Sequence, residues 1–262
     1  VNPDIAIGSH KYIETGSKTS KFGLDSEAVK RISDEARDNK LVNITSVACH
    51  IGSQISDENL ILKSLDVICE IADNLSLNGH AIKFLDIGGG LGIQYKDEKE
   101  GDPGILMAGV KNKLEGKEYK IILEPGRSII GSAGILVTRI EYIKNAGGKK
   151  FAIIDAGMND LIRPSLYDAW HEVKELENRE ISSDTYDLAG PVCETGDILA
   201  KGRNLKILPN DFVAFMDVGA YGSVMSSNYN SRLKPMELLV TGNEIEVIRR
   251  KETFEDLIAL ES

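Results

Sequence analysis

Three short runs, NITSVACHIGSQI, AIKFLDIGGG and YKIILEPGR, begin rich in apolar residues and each break off into glycine and polar side chains. No other feature constrains the fold as much, because buried strands that end this way, with helical periodicity between them, build parallel βα units. Between the first two runs, Ile61, Leu65, Ile68, Ala72 and Leu75 alternate spacings of four and three, one apolar face of a helix. Ser56 is the expected N-cap of that helix and Asn78-Gly79 its stop. Further helices are expected from Ser26 to about Asn39 and near Ile105 to Leu114.

After about Ser128 the texture changes. GILVTRIEYIKN and KKFAIIDAGM flank the turn signal AGG, and DFVAFMDVGAYG, KPMELLV and EIEVIRRKE follow with turns between them, which predicts antiparallel sheet. The expected domains are residues 1–130, α/β, and residues 131–262, β, with the final segment a candidate to return to the first. The polar residues of the first half all fall at strand C-termini, where α/β sheets and (β/α)8 barrels place their active sites. About four such units are present, and a closed barrel needs eight strands, so half a barrel is expected to be missing. VNPDIAIG has no initiator Met, basic region or apolar core of a signal peptide, which predicts the interior of a longer chain.

Composition narrows the function. A formal net charge of -10 with no basic block argues against nucleic-acid binding. No run approaches the ~18 apolar residues of a spanning helix, so no membrane role is expected. Cys49, Cys69 and Cys193 are odd in number and far apart, which suits a reducing, cytoplasmic compartment better than a disulfide framework. Four histidines without paired spacing predict no metal site.

The motifs carry the chemistry. In DIGGGLG, the amides of Gly88, Gly89 and Gly90 are able to approach a phosphate, or the run is simply a tight turn. In EPGR, Glu124 is able to hold a proton on a ring nitrogen, with Pro125, Gly126 and Arg127 facing anionic groups; a salt bridge at a barrel rim is the plainer alternative. HIGSQI places His50 to lie against an aromatic ligand and Ser53 to donate to phosphate, while a satisfied core histidine explains His50 equally well. Cys49 falls on the opposite face of its strand and is expected to be structural. Later, Arg163 and Tyr167 in RPSLY stand four apart and suit a carboxylate. GPVCETGD supplies Cys193, Glu194 and Asp197, and GAYG supplies Tyr221. Asp155, Asp160 and Asp217 are expected at turns or strand ends, and His10, His80 and His171 have no partner in sequence.

Together and in this order, HIGSQ, DIGGGLG, EPGRSIIG, DAGMNDLIRPSLYDAWHE, GPVCETGD and GAYGSVMSSNYNSR resemble the diaminopimelate decarboxylase family of fold type III enzymes, which use pyridoxal 5'-phosphate (PLP). The resemblance runs from VNPD to RRKETFEDLIALE. It implies the C-terminal part of a PLP-binding (β/α)8 TIM-like barrel followed by an antiparallel β domain, acting on a small amino acid as a homodimer with shared active sites. His50 would stack on the PLP ring, Ser53, Gly88 to Gly90, Gly126 and Arg127 would hold its phosphate, and Glu124 would pair with the pyridine nitrogen. Arg127, Arg163 and Tyr167 would bind the distal carboxylate of meso-diaminopimelate, Glu194 its distal ammonium, and Tyr221 would complete the pocket. Cys193 would protonate the α-carbon to give L-lysine, and Cys193-Glu194 would reach the neighbouring subunit's site.

The sequence departs from the family in two places. Thr195 stands where the family usually has serine, which keeps the hydroxyl. No segment resembles YAxKAN, which carries the lysine that holds PLP covalently, and Lys18 and Lys21 match an element downstream of it. The chain alone is therefore expected to be inactive and weakly stable. Rival readings are a decarboxylase for ornithine, arginine or carboxynorspermidine, a non-catalytic homologue, and a sugar-phosphate barrel enzyme. Purely cationic tails have no use for Arg163, and a sugar-phosphate enzyme leaves Glu124 and CETGD without a role.

Overall fold

The computed structural model describes residues 1–7, 15–16 and 20–261. His10 and Lys18 lie outside the described residues. The chain divides into two compact units, Val1–Ile130 and Gly131–Ser262.

The first unit is built on strands β1 (Ser46–Ala48), β2 (Phe84–Asp86) and β3 (Lys120–Ile122), paired in parallel in the order β1-β2-β3. Helix α1 (Ser26–Arg37) leads into β1, α2 (Glu58–Leu77) and α3 (Pro103–Lys113) make the two crossover connections, and α4 (Arg127–Ile130) closes the unit. The predicted apolar stripe of α2 is buried in full: Ile61, Leu65, Ile68, Ala72 and Leu75 join Val47 and Leu85 in one core. Each large aliphatic side chain buried there contributes about 1.5–3 kcal/mol relative to exposure. The cap of α2 is Asp57, not Ser56, and its carboxylate accepts from Asn59 N. The cause is upstream: Ile55 donates its N–H to Gly90 O and pairs with Leu91, which holds the chain extended and delays the first turn. The strands are shorter than the apolar runs around them, because the glycine segments leave the sheet to form loops.

In the second unit six strands form one sheet in the order β6-β9-β4-β5-β7-β8. They are β4 (Leu136–Ala146), β5 (Lys149–Ile154), β6 (Val173–Glu175), β7 (Asp184–Ala189), β8 (Ile198–Leu205) and β9 (Phe212–Phe215), with α5 (Arg163–Tyr167) between β5 and β6. Gly147 and Gly148, at φ 58° and 78°, make the two-residue turn from β4 to β5, a backbone path that favours glycine. The expectation of an antiparallel sheet needs one correction, since β5 and β7 run parallel, Lys150 opposite Tyr186. The segment between them crosses over instead of turning back, so the sheet is mixed. Ile140, Ile154, Leu188, Val213 and Phe215 lie at its centre, all fully buried. Arg203 of β8 donates to His171 O just ahead of β6, so the two edge strands approach as the sheet coils. A hairpin of β10 (Glu237–Thr241) and β11 (Glu244–Arg249) and a short α6 (Phe254–Leu257) complete the unit.

Candidate active site

In the first unit the three strand ends converge. Cys49 N donates to Asp86 O, Ile87 N to Ile122 O and Glu124 N to Gly88 O, which carries the parallel ladder past the last strand residues. Glycine is required where the loops meet: a Cβ on Gly89 would stand 2.1 Å from Glu124 O, and one on Gly90, at φ 98°, 2.1 Å from Gly52 O. Packed this closely, the loops bring His50, Ser53, Gly88, Gly89, Gly90 and the EPGR segment to one edge of the sheet. Gly89 N donates to His50 Nδ1 at 3.3 Å, which orients an otherwise exposed ring. Cys49, beside it in sequence, is buried.

Arg127 lies 6% exposed, its Nη2 3.0 Å and Nε 3.3 Å from Ser53 Oγ and its Nη1 2.6 Å from Tyr95 Oη. Because Oγ accepts from the guanidinium, the Ser53 hydroxyl hydrogen remains available to donate. Around the Cβ position of Gly126 there is open space, and Glu124 and Pro125 are exposed beside it. Tyr95 was invisible in the sequence, since it stands in a polar loop with no periodicity.

In the second unit the GPVCETGD segment forms a tight loop around Asp197. Its carboxylate, 2% exposed, accepts from Val192 N at 2.7 Å and Met158 N at 2.6 Å, while Gly190 N donates to Asp197 O. Burial raises this carboxyl above the ordinary range, with the two main-chain donors pulling the other way. Cys193 and Glu194 are presented outward on the loop, and Tyr229 Oη donates to Glu194 Oε2 at 2.7 Å. A cavity of about 310 Å³ opens there, lined by Met158, Asn159, Ile162, Glu194, Ser227 and Tyr229. Ser165 Oγ donates to Gly196 O at 2.7 Å, so α5 and this loop are fastened together.

Arg163 and Tyr167 open and close the single turn of α5, which ends at Asp168 in the left-handed region, φ 51°. Arg163 is buried, with its Nη1 2.8 Å from His171 Nε2. His171 had no partner in sequence because its contact comes from a change of chain direction. Asp160, expected as a turn residue, is buried and accepts from Gly157 N and Asn159 Nδ2, with Arg232 at 3.8 Å. Tyr221 stands 41% exposed at φ 60° in the turn after β9.

Among the described residues no group of His, Cys, Asp and Glu is arranged to hold a metal, and no helix is long and apolar enough to cross a membrane. At the opposite, N-terminal end of the first unit's strands, a cavity of about 390 Å³ is lined by Lys83, Phe84 and an Asp73–Lys117–Tyr119 cluster.

Residues 21–219 match the family described as pyridoxal-dependent decarboxylase, C-terminal sheet domain. The chain belongs to this decarboxylase family. Among relatives of these decarboxylases, the chain is 44% identical to diaminopimelate decarboxylase of Pseudomonas aeruginosa over all 262 residues, and spans 63% of that protein. It is 43% identical to the Aquifex aeolicus enzyme of the same name, with 98% of this chain and 62% of the relative covered. The crystal structure of Helicobacter pylori diaminopimelate decarboxylase in complex with L-lysine superposes with a TM-score of 0.95 at 40% identity, covering 100% of this chain and 65% of that one.

The first unit fits the cofactor named in the family's description. A phosphate needs amide, hydroxyl and cationic donors with room to enter; Gly90, Ser53, Arg127 and the open face at Gly126 fit that need, while Gly88 N and Gly89 N donate to Asp86 Oδ1 and His50 Nδ1. A pyridine ring needs a flat partner and a carboxylate, and His50 and Glu124 are exposed at the same edge.

Proposed function

We propose that this chain carries the larger part of a PLP-dependent decarboxylase that converts meso-2,6-diaminopimelate to L-lysine and CO2, the last step of lysine biosynthesis. The reading is carried by identity above 40% across the whole chain to relatives named for that activity. The proposed enzyme is a cytoplasmic homodimer in which Cys193 and Glu194 serve the neighbouring subunit's site.

When bound, PLP supplies an electron sink for the pair left on the α-carbon as CO2 departs. Glu124 keeps a proton on the ring nitrogen, which is what makes the sink effective. His50 would stack on the ring, while Ser53, Gly88 to Gly90, Pro125, Gly126 and Arg127 would hold the phosphate end. Arg127 reaches that role through Ser53, whose hydroxyl it orients at 3.0 Å. Arg163 and Tyr167 hold the distal carboxylate, which is the feature that separates this substrate from ornithine or arginine. Glu194, oriented by Tyr229, takes the distal ammonium, and Tyr221 completes the pocket. Cys193 then delivers a proton from Sγ to the α-carbon.

The test is the complete enzyme containing this chain, supplied with meso-diaminopimelate. CO2 release with equimolar L-lysine is expected. Turnover of ornithine or arginine with none of meso-diaminopimelate would reverse the substrate assignment, and PLP binding without turnover of any of them would make the protein a non-catalytic homologue.

A further inference from the structure

The geometry points to His171 as the positioning residue for Arg163, and so as a determinant of carboxylate recognition; this rests on the decarboxylase reading above. His171 is fully buried, 0% exposed, ahead of β6. Its Nδ1 lies 2.8 Å from Met216 O, and a main-chain carbonyl only accepts, so Nδ1 carries the proton. Its Nε2 therefore presents a lone pair, and Arg163 Nη1, which only donates, meets it at 2.8 Å. The two bonds are mutually consistent for one neutral tautomer alone.

The rest of the surroundings hold the ring in place. Arg203 Nη2 donates to His171 O at 2.9 Å, and Met216 N donates to Glu172 O at 2.9 Å, so the main chain immediately after the ring is held twice. Arg203 itself stacks over the Trp170 ring. The ring is therefore held at both nitrogens, and one arm of the guanidinium bonded to it is held with it.

The chemistry of the partner is informative. A carboxylate at this position would fix Arg163 equally well but would cancel its charge. A neutral imidazole accepts from one arm of the fork without adding a counter-charge of its own. It also holds Arg163 without a flexible side chain of its own, so the order is set before the substrate arrives.

The test uses the complete holoenzyme with His171→Leu and His171→Gln, since glutamine can accept from Arg163 and donate to Met216 O. For His171→Leu, KM for meso-diaminopimelate should rise about 10- to 100-fold, the effect of losing a hydrogen bond to a charged group, with kcat and PLP content little changed. His171→Gln should recover most of that loss. Competitive inhibition by L-lysine, which retains one carboxylate, should weaken by the same factor, whereas inhibition by 1,5-diaminopentane, which has none, should not. An unchanged KM in His171→Leu, equal weakening of both inhibitors, or no recovery with glutamine would overturn the assignment. Should the leucine variant fail to fold, the 15N imidazole spectrum of the wild-type enzyme decides: a ring protonated at Nε2 cannot receive Arg163 and overturns it. A wild-type enzyme inert toward meso-diaminopimelate would bring down the decarboxylase reading instead, and the ring tautomer would still decide this one.

Discussion

Asp197 accepts the main-chain N–H of Met158 at 2.6 Å, which anchors the loop carrying Cys193 to a turn 39 residues earlier in the chain. The second carboxylate oxygen takes Val192 N, so both oxygens act as acceptors. Asp197→Asn must therefore aim an amide N–H at a main-chain N–H, with no rotation that avoids it. We expect a loss of about 1–3 kcal/mol in stability. Thermal unfolding checks that loss, and a parallel fall in kcat of the complete enzyme checks that the loop displaces Cys193.

Removing the thiol itself should behave differently. Cys193 is exposed, so Cys193→Ala should leave the unfolding midpoint within error while kcat of the complete enzyme falls about 10²- to 10⁴-fold, the range for loss of a general acid. Cys49 and Cys69 are buried, and burial pushes both thiols up. Of the three cysteines, Cys193 should thus be the one that a thiol reagent titrates rapidly in the folded protein at neutral pH.

Asp160 gives a pH dependence of definite sign. Burial raises its carboxyl above the ordinary value, outweighing the Gly157 N–H, Arg232 and Asn159, while Asp197 pushes it further up. The folded state thus holds the proton more tightly than the unfolded one. Stability from this group is present below the ordinary carboxylate range and is lost as pH rises through the raised folded value. Asp160→Asn abolishes that titration, so wild type should gain stability relative to the variant as pH falls from 7 toward about 4. Midpoints measured across that range test the sign.

Gly89→Ala should be costly although its backbone is not left-handed. The new methyl would meet Glu124 O, which is main chain and cannot swing aside. Overpacking of this kind costs about 1–3 kcal/mol, and the displaced EPGR segment should lower PLP occupancy in the complete enzyme. Absorbance of the cofactor and thermal unfolding read the two effects separately.

What was legible in the sequence followed from periodicity. The buried face of α2 and the parallel order of β1, β2 and β3 come from repeated local signals, as does the Gly147-Gly148 turn. The N-cap of α2 was misplaced by one residue because a long-range bridge at Ile55 fixes where the helix begins. The parallel pairing of β5 with β7 was missed for a related reason: strand runs separated by irregular chain carry no mark of direction. The motifs nominated the polar side chains, but their supports Tyr95, Tyr229 and His171 meet them only through tertiary contacts. Tyr229 stood within the motif SSNYNSR, and its hydroxyl became informative once Glu194 lay beside it.

The parallel pairing of β5 and β7 makes the stretch from 155 to 183 a crossover, and that same stretch carries Arg163, Tyr167 and His171. A parallel pair cannot close until such a connection is laid down. The segment proposed to read the substrate is thus also the segment on which the sheet waits to assemble. Changes selected there for a new substrate would be screened first by folding rate, which narrows the routes by which this architecture can acquire a different specificity.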